Sequence, residues 1–171
     1  RKFQTTLDAC SRSAQQSSEV ISVIASRQWS FGLKEDAIQR LEAQVEKLPL
    51  DHQNRRLLSR YLFASNSFKS TSDHIRRLHR YRSATASDYQ RLIKALIHRK
   101  EWAQAALEVK AYQAAYSKGD ISFLILRLKA SQGDRDGTIA EIEDLLNGAS
   151  DPTAILPIVS TLSDTPLGYL G

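Results

Sequence analysis

Residues 86–116, ASDYQRLIKALIHRKEWAQAALEVKAYQAAY, decide how this chain folds. Their first half sets Tyr89, Leu92, Ile93 and Leu96 at steps of one, three and four, the spacing of one helix face. Their second half repeats the pattern with Trp102, Ala105, Val109 and Tyr112. Between the halves stands His98-Arg99-Lys100, a polar and basic turn. Two amphipathic helices joined in this way make a hairpin. One hairpin cannot bury its apolar face alone, so it needs neighbours of its own kind.

Those neighbours are written on either side. Ile24, Leu58 and Leu92 stand 34 residues apart, as do Gln28, Leu62 and Leu96. Ala37, Thr71 and Ala105 keep the same step, and so do Leu41, Ile75 and Val109. Such a beat belongs to stacked helical hairpins, each covering the next. The spacing predicts helices over 19–29, 34–48, 53–64, 68–81, 87–97, 101–116, 121–129 and 135–146. Gly32, Ser65-Asn66-Ser67 and Gly133-Asp134 supply turns. Pro49 stops one helix and Asp51 caps the following one. In the last hairpin Thr138, Ile142 and Leu145 follow Ala105, Val109 and Tyr112 at 33 rather than 34, which a shortened loop would absorb.

The expected organisation is therefore a capping or linking helix over 1–17, hairpins over 18–51, 52–85, 86–119 and 120–152, and a partial fifth unit or cap over 153–171. Phe3, Leu7, Cys10 and Ala14 line one stripe of the first segment. Cys10 is the one cysteine, so no internal disulfide forms, and it reads as a small buried apolar residue. Asp151-Pro152 is a good helix start. The chain opens on Arg1-Lys2-Phe3 without a methionine, and we expect a fragment of a longer membrane-anchored or multidomain protein. No run of 18 apolar residues is present, so direct membrane contact is not expected within it. No compartment is legible.

The units resemble the tetratricopeptide repeat family. Trp102-Ala103-Gln104-Ala105-Ala106 matches the family's aromatic-x-x-Ala opening of a second helix, Phe68 stands one repeat earlier, and Pro49 sits where the family ends a repeat. The resemblance spans about residues 18–150. Individual units depart from the pattern: Lys34 replaces an aromatic, and Thr71, Ser59 and Thr138 replace smaller residues. The resemblance implies an all-α fold, a right-handed α-solenoid of antiparallel hairpins, with a concave face lined by first helices. Carried over, that face presents Trp29, Arg56, Arg60, Phe63, Arg91, Lys94 and Ile97 as a protein-binding groove. On the fourth first helix it presents Leu124, Ile125 and Leu128. Trp29, Phe63 and Ile97 would form an apolar ladder, or else plug the gaps between hairpins.

Charge suggests a partner. Residues 52–100 hold twelve basic and two acidic side chains, whereas 101–171 hold five basic and ten acidic. The basic block attracts a protein or peptide with acidic groups, or the acidic end of a second copy. Arginine pairs with a carboxylate through two parallel hydrogen bonds, which adds geometry to charge. In a solenoid, Arg76, Arg77, Arg80 and Arg82 fall on a second helix and turn outward, and Arg55 is expected to do the same.

Three functions follow: a non-catalytic protein-interaction scaffold; nucleic-acid binding through 52–100, with Tyr61, Tyr81 and Tyr89 stacking on bases; and an accessory domain of a multidomain enzyme or of a secretion or envelope assembly. The first is favoured, because no nucleic-acid module is visible and the acidic last third repels a phosphate backbone. No enzymatic activity, cofactor or metal is expected. His74 and His79 are five apart, the wrong spacing for adjacent ligands on a helix. No phosphate-binding glycine loop is present. Gly133-Asp134-Arg135-Asp136-Gly137 lacks the alternating ligands of a calcium loop.

Overall fold

The computed structural model describes residues 17–116 and 121–148. The expectations for the helix over 2–17, Cys10, the Asp151-Pro152 start and residues 153–171 lie outside these residues. Among the described residues there are eight helices and no strand: α1 (Ser18–Ser30), α2 (Lys34–Lys47), α3 (His52–Ala64), α4 (Phe68–Arg80), α5 (Ala86–His98), α6 (Trp102–Ala115), α7 (Ser122–Gln132) and α8 (Arg135–Gly148). Their ends fall within two residues of the sequence reading, except that α7 runs on to Gln132.

Local chemistry starts these helices. The Ser17 side chain accepts from Val20 N at 3.3 Å at the head of α1. Asp51 caps α3, its Oδ1 accepting from Asn54 N at 3.1 Å. Asp88 reaches back from the first turn of α5, and its Oδ2 accepts from Thr85 N at 2.9 Å. Each arrangement satisfies amide groups that a helix start otherwise leaves without partners.

The turns inside the hairpins keep the repeat in their backbone. Gly32, Asn66, Lys100 and Gly133 all adopt left-handed φ angles, of 79°, 59°, 59° and 76°. Across each of them the next amide returns to a helix carbonyl: Leu33 N to Gln28 O, Ser67 N to Leu62 O, Glu101 N to Leu96 O, and Asp134 N to Lys129 O, at 2.8–3.1 Å. This is the six-to-one bond of a Schellman turn. The intervals are 34, 34 and 33 residues, so the one-residue slip already lies before Gly133, upstream of the α7–α8 turn.

The chain divides into two compact units, Arg1–Ala84 and Thr85–Gly171. In the first, α1 pairs with α2 and α3 with α4, and α3 packs on both α1 and α2. Its core joins Ile21, Ala25, Ala37, Leu41, Val45, Leu58, Tyr61 and Leu62, with Trp29, Ile38 and Leu57 packed against it. In the second unit α5 pairs with α6 and α7 with α8, and α7 packs on both α5 and α6. Leu92, Ile93, Leu96, Ala105, Val109 and Leu126 are buried there.

The small-residue column is buried throughout: Ala37, Thr71, Ala105 and Thr138. The hydroxyls in it are satisfied within their own helices. Thr71 Oγ1 donates to Ser67 O at 2.9 Å, and Thr138 Oγ1 donates to Asp134 O. A threonine is accepted where alanine is usual because its hydroxyl finds this carbonyl one turn back. Among the described residues no helix is long and apolar enough to cross a membrane.

Candidate functional site

In the first unit, Trp29 at the end of α1 lies flat on Tyr61 of α3, with ring centroids 4.1 Å apart and planes within 7°. The Tyr61 hydroxyl donates to Ser26 Oγ at 3.2 Å. Lys34 Nζ stands 5.4 Å from the Trp29 ring, and the Arg60 guanidinium stands 5.7 Å from the Tyr61 ring. Two stacked rings thus carry two cations, each within cation–π distance. Arg60 is exposed, whereas Arg56 is half-buried and its Nη2 donates to Ser83 O at 2.7 Å. Arg56 therefore ties α3 to the turn after α4. Phe63 meets Phe68 edge to face at 5.4 Å, closing the α3–α4 turn.

In the second unit, Arg91 is paired with Asp88 at 3.1 Å, and Asp88 is fully buried. Lys94 is half-buried on α5, its Nζ 5.9 Å from the Phe123 ring of α7. Burial pushes the Lys94 ammonium below the ordinary lysine range, and the nearby charges of Arg127 and Arg91 push it further. His98 is lowered too, by burial and then by Arg127. Among the described residues neither Lys94 nor Arg127 forms an ion pair. Ile97 is 5% exposed and belongs to the interior. Leu124 and Leu128, read as facing the groove, are buried as well.

The sequence reading of α7 passed over Arg127. The signal was present: Arg127 follows Lys94 by 33 residues, the interval of the Gly133 turn. Applied to α7, that interval puts Arg60, Lys94 and Arg127 at one register position of three successive first helices. Tyr61 and Lys34 were missed as partners of Trp29, because their contact crosses between helices and has no period in the sequence.

One expectation is overturned. Arg55 does not turn outward; it is 1% exposed. Its Nη2 donates to Pro49 O at 2.8 Å and Val45 O at 3.4 Å, and its Nη1 lies 3.2 Å from His74 Nδ1. Val45 O lies in the last turn of α2, where helix C-termini leave acceptors open, and Pro49 O lies in the turn just beyond it, so a buried cation finds partners there. Burial lowers His74 to about 4, helped by the charges of Arg55 and Arg77. Neutral His74 therefore accepts from Arg55. The other outward-read arginines fare as expected in part: Arg77, Arg80 and Arg82 are exposed and Arg76 is half-buried.

The proposed base-stacking tyrosines are largely engaged. Tyr61 is buried against Trp29, and Tyr89 meets Tyr112 and Tyr116 edge to face at 6.2 and 5.8 Å. Tyr81 is 42% exposed, beside His52 at 5.4 Å. A polar cavity of about 520 Å³ lies between α1 and α2, floored by Gln28 and Gln44 and edged by Arg40 and Lys47; none of the predicted groove residues lines it. Among the described residues no set of three or more histidine, cysteine, aspartate or glutamate side chains gathers to hold a metal.

No family model matches this chain. No curated protein matches it either. Among solved structures it is similar to the crystal structure of TTC0263, a thermophilic TPR protein in Thermus thermophilus, with a TM-score of 0.64 and 18% identity over 92% of this chain and 88% of that one. The likeness shows the fold, an all-α solenoid of antiparallel helical hairpins of the tetratricopeptide type.

Proposed function

We propose that this chain is a non-catalytic interaction scaffold that holds an acidic segment of a partner protein against its first-helix face. Four hairpins over 18–51, 52–85, 86–119 and 120–152 carry that face. The observation that supports the reading is the Lys94–Arg127 pair on α5 and α7. Both cations are half-buried, burial and then the charge of Arg127 lower the Lys94 ammonium, and among the described residues neither forms an ion pair. Like charges held together in this way cost free energy, and a carboxylate arriving from outside relieves it. Phe123 beside Lys94 gives the same partner an apolar contact. Arg60 and the Trp29–Tyr61 stack offer a similar mixture of charge and aromatic surface in the first unit. Arginine and aromatic side chains are the types that most often dominate binding energy.

The test uses a labelled peptide of alternating glutamate and leucine and a lysine-for-glutamate control. The acidic peptide binds, more weakly as salt rises, and the control does not. Lys94→Glu with Arg127→Glu weakens binding at least about tenfold, the scale of one lost charge-assisted contact. Unchanged binding in that double variant sinks the assignment. A labelled oligonucleotide that binds at low salt, while the peptide does not, transfers the site to nucleic acid.

A further inference from the structure

The outer helix of the second hairpin carries charge that the first-helix face does not use. On α4, Lys69, Arg76 and Arg77 stand at intervals of seven and eight residues, and Arg80 follows one turn later. Seven residues make two helical turns and Arg80 adds a third, so these side chains share one stripe about 16 Å long. Lys69, Arg77 and Arg80 are exposed. The stripe contains one acid, Asp73. Arg82, just beyond it, is exposed and holds a left-handed φ of 53°. A glycine there would avoid roughly 1–2 kcal/mol of steric cost.

The last described helix has the opposite pattern at the same spacing. On α8, Asp136, Glu143 and Asp144 also stand at intervals of seven and eight, and all three are exposed. Beside them Ile139 and Leu146 are 44% and 42% exposed, again seven apart. Thr138 is the one residue of α8 classed as buried, so this helix leaves most of its surface outward. Run parallel, the carboxylates of α8 have the same spacing as the cations of α4, Asp136, Glu143 and Asp144 standing level with Lys69, Arg76 and Arg77; run antiparallel, only Lys69 and Arg77 keep an opposite charge level with them, and Arg76 faces Gly137. The long aliphatic stems of lysine and arginine can cover Ile139 and Leu146 while their charged ends reach the carboxylates.

We infer that the chain self-associates by seating α8 of one copy on the basic stripe of α4 of another. The inference stands apart from the acidic-peptide reading, since neither Lys94 nor Arg127 takes part. Nucleic acid fits α4 less well, because the helix offers phosphate-binding charge but no exposed aromatic ring of its own, and the exposed ring that adjoins it, Tyr81, already meets His52 at 5.4 Å.

The experiment is sedimentation velocity of the full chain at low and high salt, with two charge-reversed forms. One carries Lys69→Glu, Arg76→Glu and Arg77→Glu; the other carries Asp136→Lys, Glu143→Lys and Asp144→Lys. The unaltered chain associates at low salt and dissociates as salt screens the contact. Either reversed form alone dissociates roughly tenfold more readily, the worth of about three exposed ion pairs. An equimolar mixture of the two restores association, because every α4–α8 contact is again between opposite charges, and this recovery also shows that both forms are folded. A monomeric unaltered chain at low salt overturns the inference, as does a reversed form that still associates or a mixture that stays apart. Binding of an anionic oligonucleotide to α4 without self-association assigns the stripe to nucleic acid instead.

Discussion

Among single residues, two positions show how local strain and burial set behaviour. Lys100 occupies the left-handed position that Gly32 and Gly133 hold in other hairpins. A side chain with a Cβ is costly there, and Lys100 is exposed, so nothing in its own packing offsets the cost. Lys100→Gly is expected to raise stability by about 0.5–1 kcal/mol in urea melts, after the extra freedom glycine brings to the unfolded chain is counted. Lys100→Asn should raise it less, and a loss with either would mean the turn is held by something other than backbone preference. His74 sets a pH dependence. Its folded value of about 4 lies below the ordinary 6.5. Above 6.5 the ring is neutral in both states. As pH falls from 6.5 towards 4 the unfolded chain takes up a proton that the folded chain refuses, so stability declines across that window. His74→Gln keeps an acceptor for Arg55 but does not titrate. Its urea midpoint should change less between about pH 7.5 and 5 than that of the unaltered chain, and an equal change would show that other groups govern the window.

Between elements, the junction of the first two hairpins depends on Asp51. Besides capping α3, its Oδ2 accepts from Gln44 Nε2 at 3.0 Å, from Asn54 Nδ2 at 2.8 Å and from Ser18 Oγ. Burial pushes this carboxyl upward, but the hydrogen bonds from Ser18, Asn54 and Gln44 outweigh it and hold it below the ordinary aspartate value. One side chain thus joins the starts of α1 and α3 to the end of α2. Asp51→Ala should cost about 2–4 kcal/mol in urea melts, from the lost cap together with the Gln44 amide and Ser18 hydroxyl left without this acceptor, while Asn54 Nδ2 keeps Ser18 O and Oγ at 2.9 Å. Asp51→Ser retains a cap but cannot reach the other partners, and should fall between. Equal stability of the alanine and serine forms would show that the side-chain ties, and not the cap, carry the effect. The cap was legible in the sequence, because it needs only Asp before a helix start. The ties to Ser18 and Gln44 were not, since they join residues 33 and seven positions away with no pattern to mark them.

For the molecule as a whole, the kind of architecture is written in the order of its residues. Apolar residues at helical spacing, repeated at 34, can be buried only by hairpins covering hairpins, and the helix boundaries follow from the same pattern with Pro49 and the turn residues. Periodicity reports what every unit shares. It is silent on what each unit does differently, and there the packing of helix on helix settles the outcome. Burial of Arg55 depended on carbonyls in the last turn of α2 and just beyond it, and engagement of Arg91 on Asp88 one turn before it. The pairing of Trp29 with Tyr61 arose from where α1 meets α3, and the company of Lys94 and Arg127 from where α5 meets α7. A side chain's charge and size are fixed by its identity, but whether it faces solvent, a ring or another cation is set by neighbours distant in sequence, because contact energies act through space rather than along the chain.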